Sequence, residues 1–301
     1  MKKLRFFCAF WLLGLISGQA AATLNVFATV PEWAALVKEI GADKVAVYSA
    51  TSAMQDPHRI DAKPSLLAQA RGAQLVVANG GELEIGWLPL VLRDSGNAAI
   101  QPGRPGYFEA AVHVAMRDVP SVLDRANGDV HAGGNPHIHL DPRNLLKVGE
   151  ALTARMAELD PANAEAYRAA FKSFAGKLQA AIGRWEGEAA SLRGIPVLVQ
   201  HSSFVYLAAW LGLKETATLE PRPGVEPGSA HLASILERQK VVPARMVLRA
   251  PYQNAAASQW IAAKAGIPVV VLPFTVGGTP EAANLFALFD ETIARLLKAS
   301  R

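Results

Sequence analysis

Asp160-Pro161-Ala162-Asn163-Ala164-Glu165-Ala166-Tyr167 opens the longest periodic stretch of the chain. From Tyr167 the apolar residues return as Phe171, Phe174, Leu178, Ile182, Trp185, Ala189 and Leu192, three or four positions apart. Asp before Pro is a helix start, because Asp caps the first turn and Pro lacks only an N–H that would go unbonded there. One apolar stripe over about 30 residues makes a helix of roughly 45 Å. That is long for the surface of a modest domain and reads as a strut between two lobes. A glycine inside a helix costs about 1 kcal/mol against alanine, so two helices broken near Gly176 is the competing reading.

On both sides of the strut, short β-branched runs alternate with helical stretches. Before it the candidate strands are Leu24–Thr29, Lys44–Ala50 and Ala73–Asn79, separated by helix-like Pro31–Ile40 and Pro64–Arg71. After it come Pro196–Gln200, Arg245–Arg249 and Pro268–Leu272. Such alternation indicates parallel sheets. The expected fold is α/β: an N-terminal lobe over 23–159, a bridging helix over 160–192 and a C-terminal lobe over 193–301. No internal repeat is evident.

The 301 residues are 51% apolar and 19% charged, which describes a globular chain and excludes a disordered one. Residues 1–22 stand apart: basic Lys2, Lys3 and Arg5, an apolar run from Phe6 to Ile16, and small Ala20-Ala21-Ala22. They are expected to form a cleavable signal peptide, too short for a membrane span of about 20 residues. A periplasmic address follows. Its removal takes three basic residues, so the formal charge of +4 falls to +1 (4 − 3), and no basic stripe points to nucleic acid. The single cysteine, Cys8, leaves with it. Any metal would then be held by histidine, carboxylate or water.

Three of the seven histidines lie where chemistry is expected. Gly133-Gly134-Asn135-Pro136-His137-Ile138-His139-Leu140-Asp141-Pro142 leads into another Asp-Pro helix start, and extended backbone there would send His137 and His139 to the same face. His58 follows Asp56-Pro57 in the loop after the second candidate strand. His201 follows Pro196–Gln200. Ligands of open α/β sheets bind beyond the carboxyl ends of the strands, so two lobes would place these histidines in the cleft between them. Three neutral imidazoles suit Zn²⁺.

The motifs carry a family resemblance. Asp56-Pro57-His58, Lys63-Pro64-Ser65, the run Val76–Glu84 and Trp87-Leu88 form its first part. Asn135–Pro142, then Gln200–Leu207 with Leu211-Gly212-Leu213, complete it. In this order they resemble the periplasmic zinc/manganese substrate-binding proteins of ABC transporters, the ZnuA/TroA-like cluster A-I family, over essentially the whole mature chain. The resemblance implies that His58, His137 and His201 hold a transported zinc ion. It also implies an ABC transporter membrane permease as partner, with a periplasmic zinc metallochaperone as a second candidate. No enzyme activity is expected, and the chain is expected to be a monomer.

The family's fourth ligand, a carboxylate after the last strand, is absent from Val271-Leu272-Pro273-Phe274-Thr275-Val276-Gly277-Gly278, and Ala250 stands where Glu is often found. Water or a carboxylate from Glu82, Glu84, Glu220 or Glu226 would fill the place. The family usually has an aromatic where His139 stands, so His139 is expected to pack near the cleft as a supporting partner or an alternate ligand. His113 is expected to be a hydrogen-bonded structural residue, and His231 to lie on a helix surface. The loop 124–134, with His131 its one histidine, is expected to act as a lid. The competing functions are a secreted zinc hydrolase with a His₃–water site, which has no His-Glu-x-x-His helix or evident general base, and a metal-binding adhesin.

Overall fold

The computed structural model describes residues 23–120 and 131–301. The expected signal peptide and residues 124–130 of the expected lid lie outside them. In the first lobe β1 (Leu24–Ala28), α1 (Pro31–Gly41), β2 (Val45–Ser49), α2 (Pro64–Gly72), β3 (Leu75–Ala78), α3 (Leu88–Ser95) and β4 (Tyr107–Glu109) alternate. Their sheet runs β2-β1-β3-β4, parallel throughout, with Leu24 opposite Val45 and Val26 opposite Leu75. The central strand β3, Leu-Val-Val-Ala, is buried on both faces, as a parallel strand covered by helices must be.

After α4 (Pro142–Leu159) and α5 (Ala164–Glu188), the second lobe repeats the scheme. It contains β5 (Pro196–Val199), α6 (Val205–Leu211), β6 (Lys214–Thr218), α7 (Ser229–Gln239), β7 (Met246–Arg249), α8 (Ala255–Ala265), β8 (Val269–Val271) and α9 (Leu285–Ser300). Its sheet, β6-β5-β7-β8, is parallel and has the same topology as the first. The duplication is topological and left no repeat in the sequence. Strands β4 and β6 were missing from the sequence reading. One has three residues and the other is polar Lys-Glu-Thr-Ala-Thr, and both are edge strands.

The long helix is unbroken at Gly176 and runs 25 residues. Its start differs from the expected cap. Pro161–Asn163 form a 3₁₀ turn first, and the Asp160 carboxylate instead accepts from the Tyr167 hydroxyl at 2.6 Å and from Asn163 at 2.7 Å. A second 3₁₀ turn, Ala189–Leu192, ends the segment. Helix α5 packs on α1, α4 and α9. Phe171 seats over Gly149 of α4, where a Cβ would come within 2.6 Å of its ring and push it aside. At the other end the Trp185 ring packs, tilted, against Phe289 at 5.1 Å and donates to Asp290 at 2.7 Å.

Candidate metal centre

The carboxyl ends of both sheets face one cleft. His58 lies in the loop after β2, His201 two residues beyond β5, and His137 just before α4. The segment carrying His137 is not extended as expected. Ile138–Leu140 form a 3₁₀ turn, and Asp141 then caps α4 through Arg143 N at 3.0 Å. Pro136 and the Asn135 side chain, which accepts from His137 N at 3.1 Å, tighten the backbone ahead of that turn. Gly134 has φ +105°, and a Cβ there would lie 2.6 Å from the Arg117 carbonyl, so the approach to the turn admits only glycine without displacement.

One nitrogen from each of His58, His137 and His201 lies within 4.8 Å of the others. Their ring centroids are 5.4, 5.8 and 5.5 Å apart. Each ring is oriented by its Nδ1. His58 Nδ1 donates to Asp56 Oδ1 at 2.9 Å, and His201 Nδ1 to Glu220 Oε2 at 2.7 Å. His137 Nδ1 donates to Asn135 Oδ1 at 2.8 Å. The Asn135 amide nitrogen donates to Ser202 O at 2.6 Å, which fixes which of its side-chain atoms is the oxygen. With every Nδ1 protonated, each Nε2 carries the lone pair. His58 Nε2 and His137 Nε2 are buried without a hydrogen-bond partner. Buried acceptors left unpaired are costly, and converging ones are an arrangement a cation would satisfy.

Burial, followed by the neighbouring histidines 58, 201, 139 and 131, holds the His137 pKa well below 6.5. The ring is therefore neutral and able to bind metal at pH 7. At Asp56 burial works against ionisation, but its hydrogen bond and charge interaction with His58 outweigh this and lower the pKa. Burial first, with Asp56, Glu220 and Glu32 around it, raises the Tyr252 phenol well above 10 and keeps it protonated.

His139 stays outside the trio. Its Nε2 donates to Phe274 O at 2.9 Å, and its Nδ1 faces Glu32 Oε1 at 3.1 Å. The candidate carboxylates are placed as follows. Glu84 accepts from Thr29 Oγ1, Asn79 N and Gly80 N, and Asn79 Nδ2 in turn donates to Pro136 O at 2.8 Å. Glu220 supports His201. Glu82 Oε2 accepts from Ala132 N at 2.7 Å, and Glu226 is exposed. Where the last strand turns into the cleft stands the Phe274 ring, 5.7 Å from that of His137. His113 differs from its expected structural role: it is exposed, in a 3₁₀ turn, stacked on Phe108 at 4.9 Å. His231 lies on α7, half-buried against Thr218 O at 3.2 Å.

Sequence reading missed Asn135 and Glu220 as the partners that orient His137 and His201. Asn135 was legible as the residue two before His137. Glu220 lies 19 residues beyond His201 and reaches it only because β5 and β6 pair.

The family model for zinc-uptake complex component A, periplasmic (ZnuA), matches residues 26–299. The chain is 26% identical over 217 residues to the high-affinity zinc uptake system protein ZnuA of Bacillus subtilis, covering 70% of this chain and 66% of that one. To the zinc-binding lipoprotein AdcA of Streptococcus pneumoniae it is 24% identical over 245 residues, covering 77% and 46%. To the manganese ABC transporter substrate-binding lipoprotein ScaA of Streptococcus gordonii it is 28% identical over 190 residues, covering 60% and 59%. The chain thus spans about half to two-thirds of the length of these relatives. A crystal structure of ZnuA shares the fold with a TM-score of 0.77 at 22% identity, covering 93% of this chain and all of that one.

Proposed function

Because the chain belongs to the family of the periplasmic zinc-uptake component, the metal-binding substrate-binding proteins of ABC transporters, we propose that it captures Zn²⁺ with His58, His137 and His201. It then passes the ion to the membrane permease of an ABC importer, outside the cytoplasm. The observation that carries this reading is the set of three imidazoles, each locked in the tautomer that leaves Nε2 for metal. Capture requires ligands held ready and deprotonated. It needs no nucleophile and no general base.

Relatives carry names for zinc, manganese and iron, so the donor set must decide the metal. Three nitrogens, with Phe274 in place of a carboxylate, favour borderline Zn²⁺ over the harder, oxygen-seeking Mn²⁺. Hydrolysis gains no support, since Asp56 and Glu220 are committed to holding imidazoles and Glu32 accepts from the Thr275 hydroxyl.

Metal content and competition titration of the mature chain, beside His58→Ala, His137→Ala and His201→Ala, test the site. One zinc per chain, held tightly and weakened by each substitution, is expected. Unchanged zinc affinity in all three variants would overturn the reading.

A further inference from the structure

The three-histidine centre leaves a tetrahedral ion one position short, and no carboxylate among the described residues joins the ligand group. A fourth imidazole stands beside it. The ring of His131 lies on that of His58 with centroids 5.3 Å apart. Two imidazoles bound to one tetrahedral ion at about 2.0–2.1 Å have centroids roughly 5 Å apart, so the His131 ring is spaced from His58 as a second ligand would be, although its nitrogens fall outside the group formed by the trio.

Its backbone is held there. Ala132 N donates to Glu82 Oε2 at 2.7 Å, and Gly134 N donates to His131 O at 3.1 Å. Glu82 makes its contact from a left-handed backbone, φ +66°. A non-glycine residue in that region costs on the order of 1–3 kcal/mol and persists only where its surroundings impose it. Three residues beyond Ala132, Asn135 is fixed to Arg117 O and Ser202 O at 2.7 and 2.6 Å. The segment from His131 to His137 is therefore tied across the cleft mouth. Its first side chain lies over one ligand and its last is another.

We propose that His131 is the fourth ligand of the captured ion, leaving its stack on His58 and completing an all-imidazole site as the metal enters. The rings of His131 and His58 are inclined by only 29°, whereas the pairs within the trio are inclined by 53°, 70° and 78°. A side-chain rotation must therefore bring the His131 lone pair to the ion. Glu82 acts as a positioning residue through Ala132 N. An all-nitrogen shell would account for the absence of a carboxylate after β8 and would sharpen the preference for zinc.

This inference rests on the capture site proposed above, and the test separates the two. Zinc-loaded protein, wild type and His131→Ala, is examined by X-ray absorption to count imidazoles and by competition titration for affinity. Four imidazoles are expected in the wild type and three plus an oxygen in His131→Ala. Affinity should fall at least about tenfold, the lower end of what losing even an outer partner costs. His131→Phe keeps a ring for the stack without a nitrogen and is expected to behave like His131→Ala. Glu82→Gln, which removes the charge from the contact with Ala132, is expected to lose zinc faster with the imidazole count unchanged. Three imidazoles in the wild type, or unchanged affinity in His131→Ala and His131→Phe, would overturn the role of His131. If His58→Ala, His137→Ala and His201→Ala still lose zinc, the capture site would survive that result.

Discussion

Phe274 occupies the point where β8 turns into the cleft, with φ +65° and 4% exposure. A bulky residue with a left-handed backbone is an outlier, and here the surroundings impose it. The carbonyl of Phe274 takes His139 Nε2, while the ring packs on His137 and, at 5.1 Å, on His139. Phe274→Asp would replace the ring with an oxygen donor, in a residue that visits this backbone region more readily. We expect the ratio of Mn²⁺ to Zn²⁺ affinity to rise, read by competition between the two ions. Losing the ring costs about 3–5 kcal/mol, so a thermal melt must first show that the variant folds. An unchanged ratio in folded protein would mean that Phe274 does not shape metal choice. At this scale the three clustered histidines were legible because each sits in its own dense motif. Their support was legible only where it lay close in sequence, as with Asp56 and Asn135. Phe274 could be seen to lack a carboxylate, but its strain depends on contacts from another lobe.

Among the elements, the polar edge strand β6 was the hardest to read, and it carries a misplaced charge. Glu215 Oε1 is buried without a hydrogen-bond partner, and burial, with some help from Asp118, raises its pKa from 4.5 to about 7. The folded state then holds a proton that the unfolded state has released between those two values. The stability associated with Glu215 is complete below about pH 4.5 and is lost as pH rises through about 7. Glu215→Gln removes the titration. Between pH 5 and pH 8 the wild type should lose about 2 kcal/mol relative to this variant, measured by denaturant unfolding at both pH values. Parallel pH profiles would contradict the burial of an ionising group. The raised carboxyl of Glu84, also near 7 by burial, is common to both proteins and cancels in the difference. Helix α5 offers a second test. Gly176, Gly183 and Gly187 are exposed, and a Cβ on each would meet nothing within 4 Å. Each substitution to alanine should add roughly 0.5–1 kcal/mol, seen as a raised melting temperature. The stripe of apolar residues outweighs these glycines, so the helix was legible in spite of them. Strands β4 and β6 were not, because a short or polar edge strand has no face that must alternate.

For the molecule as a whole, hydrophobic periodicity shows that a face is buried but not which partner covers it. The sequence therefore yielded two lobes and a strut without revealing that they share one core. A single cluster runs from Val26, Trp33 and Val77 of the first lobe through Tyr167, Leu178 and Trp185 of α5. It continues to Val199, Leu248 and Phe289 of the second, with smaller clusters on the outer side of each sheet. Hydrogen bonds cross the cleft: Thr275 Oγ1 to Glu32 Oε2 at 2.6 Å, Asn135 Nδ2 to Ser202 O at 2.6 Å and Arg59 Nη2 to Gly224 O at 2.9 Å. Two lobes that share buried side chains along a helix cannot unfold separately without exposing that core. The metal-free chain should therefore melt in one cooperative transition, despite being large enough for two domains. Zinc should move that single transition upward, by about 4 kcal/mol of stability at a thousandfold excess over its dissociation constant. Calorimetry decides the matter. Two resolved transitions, with zinc raising only one, would show that the lobes fold apart and that the shared core contributes little to holding them together.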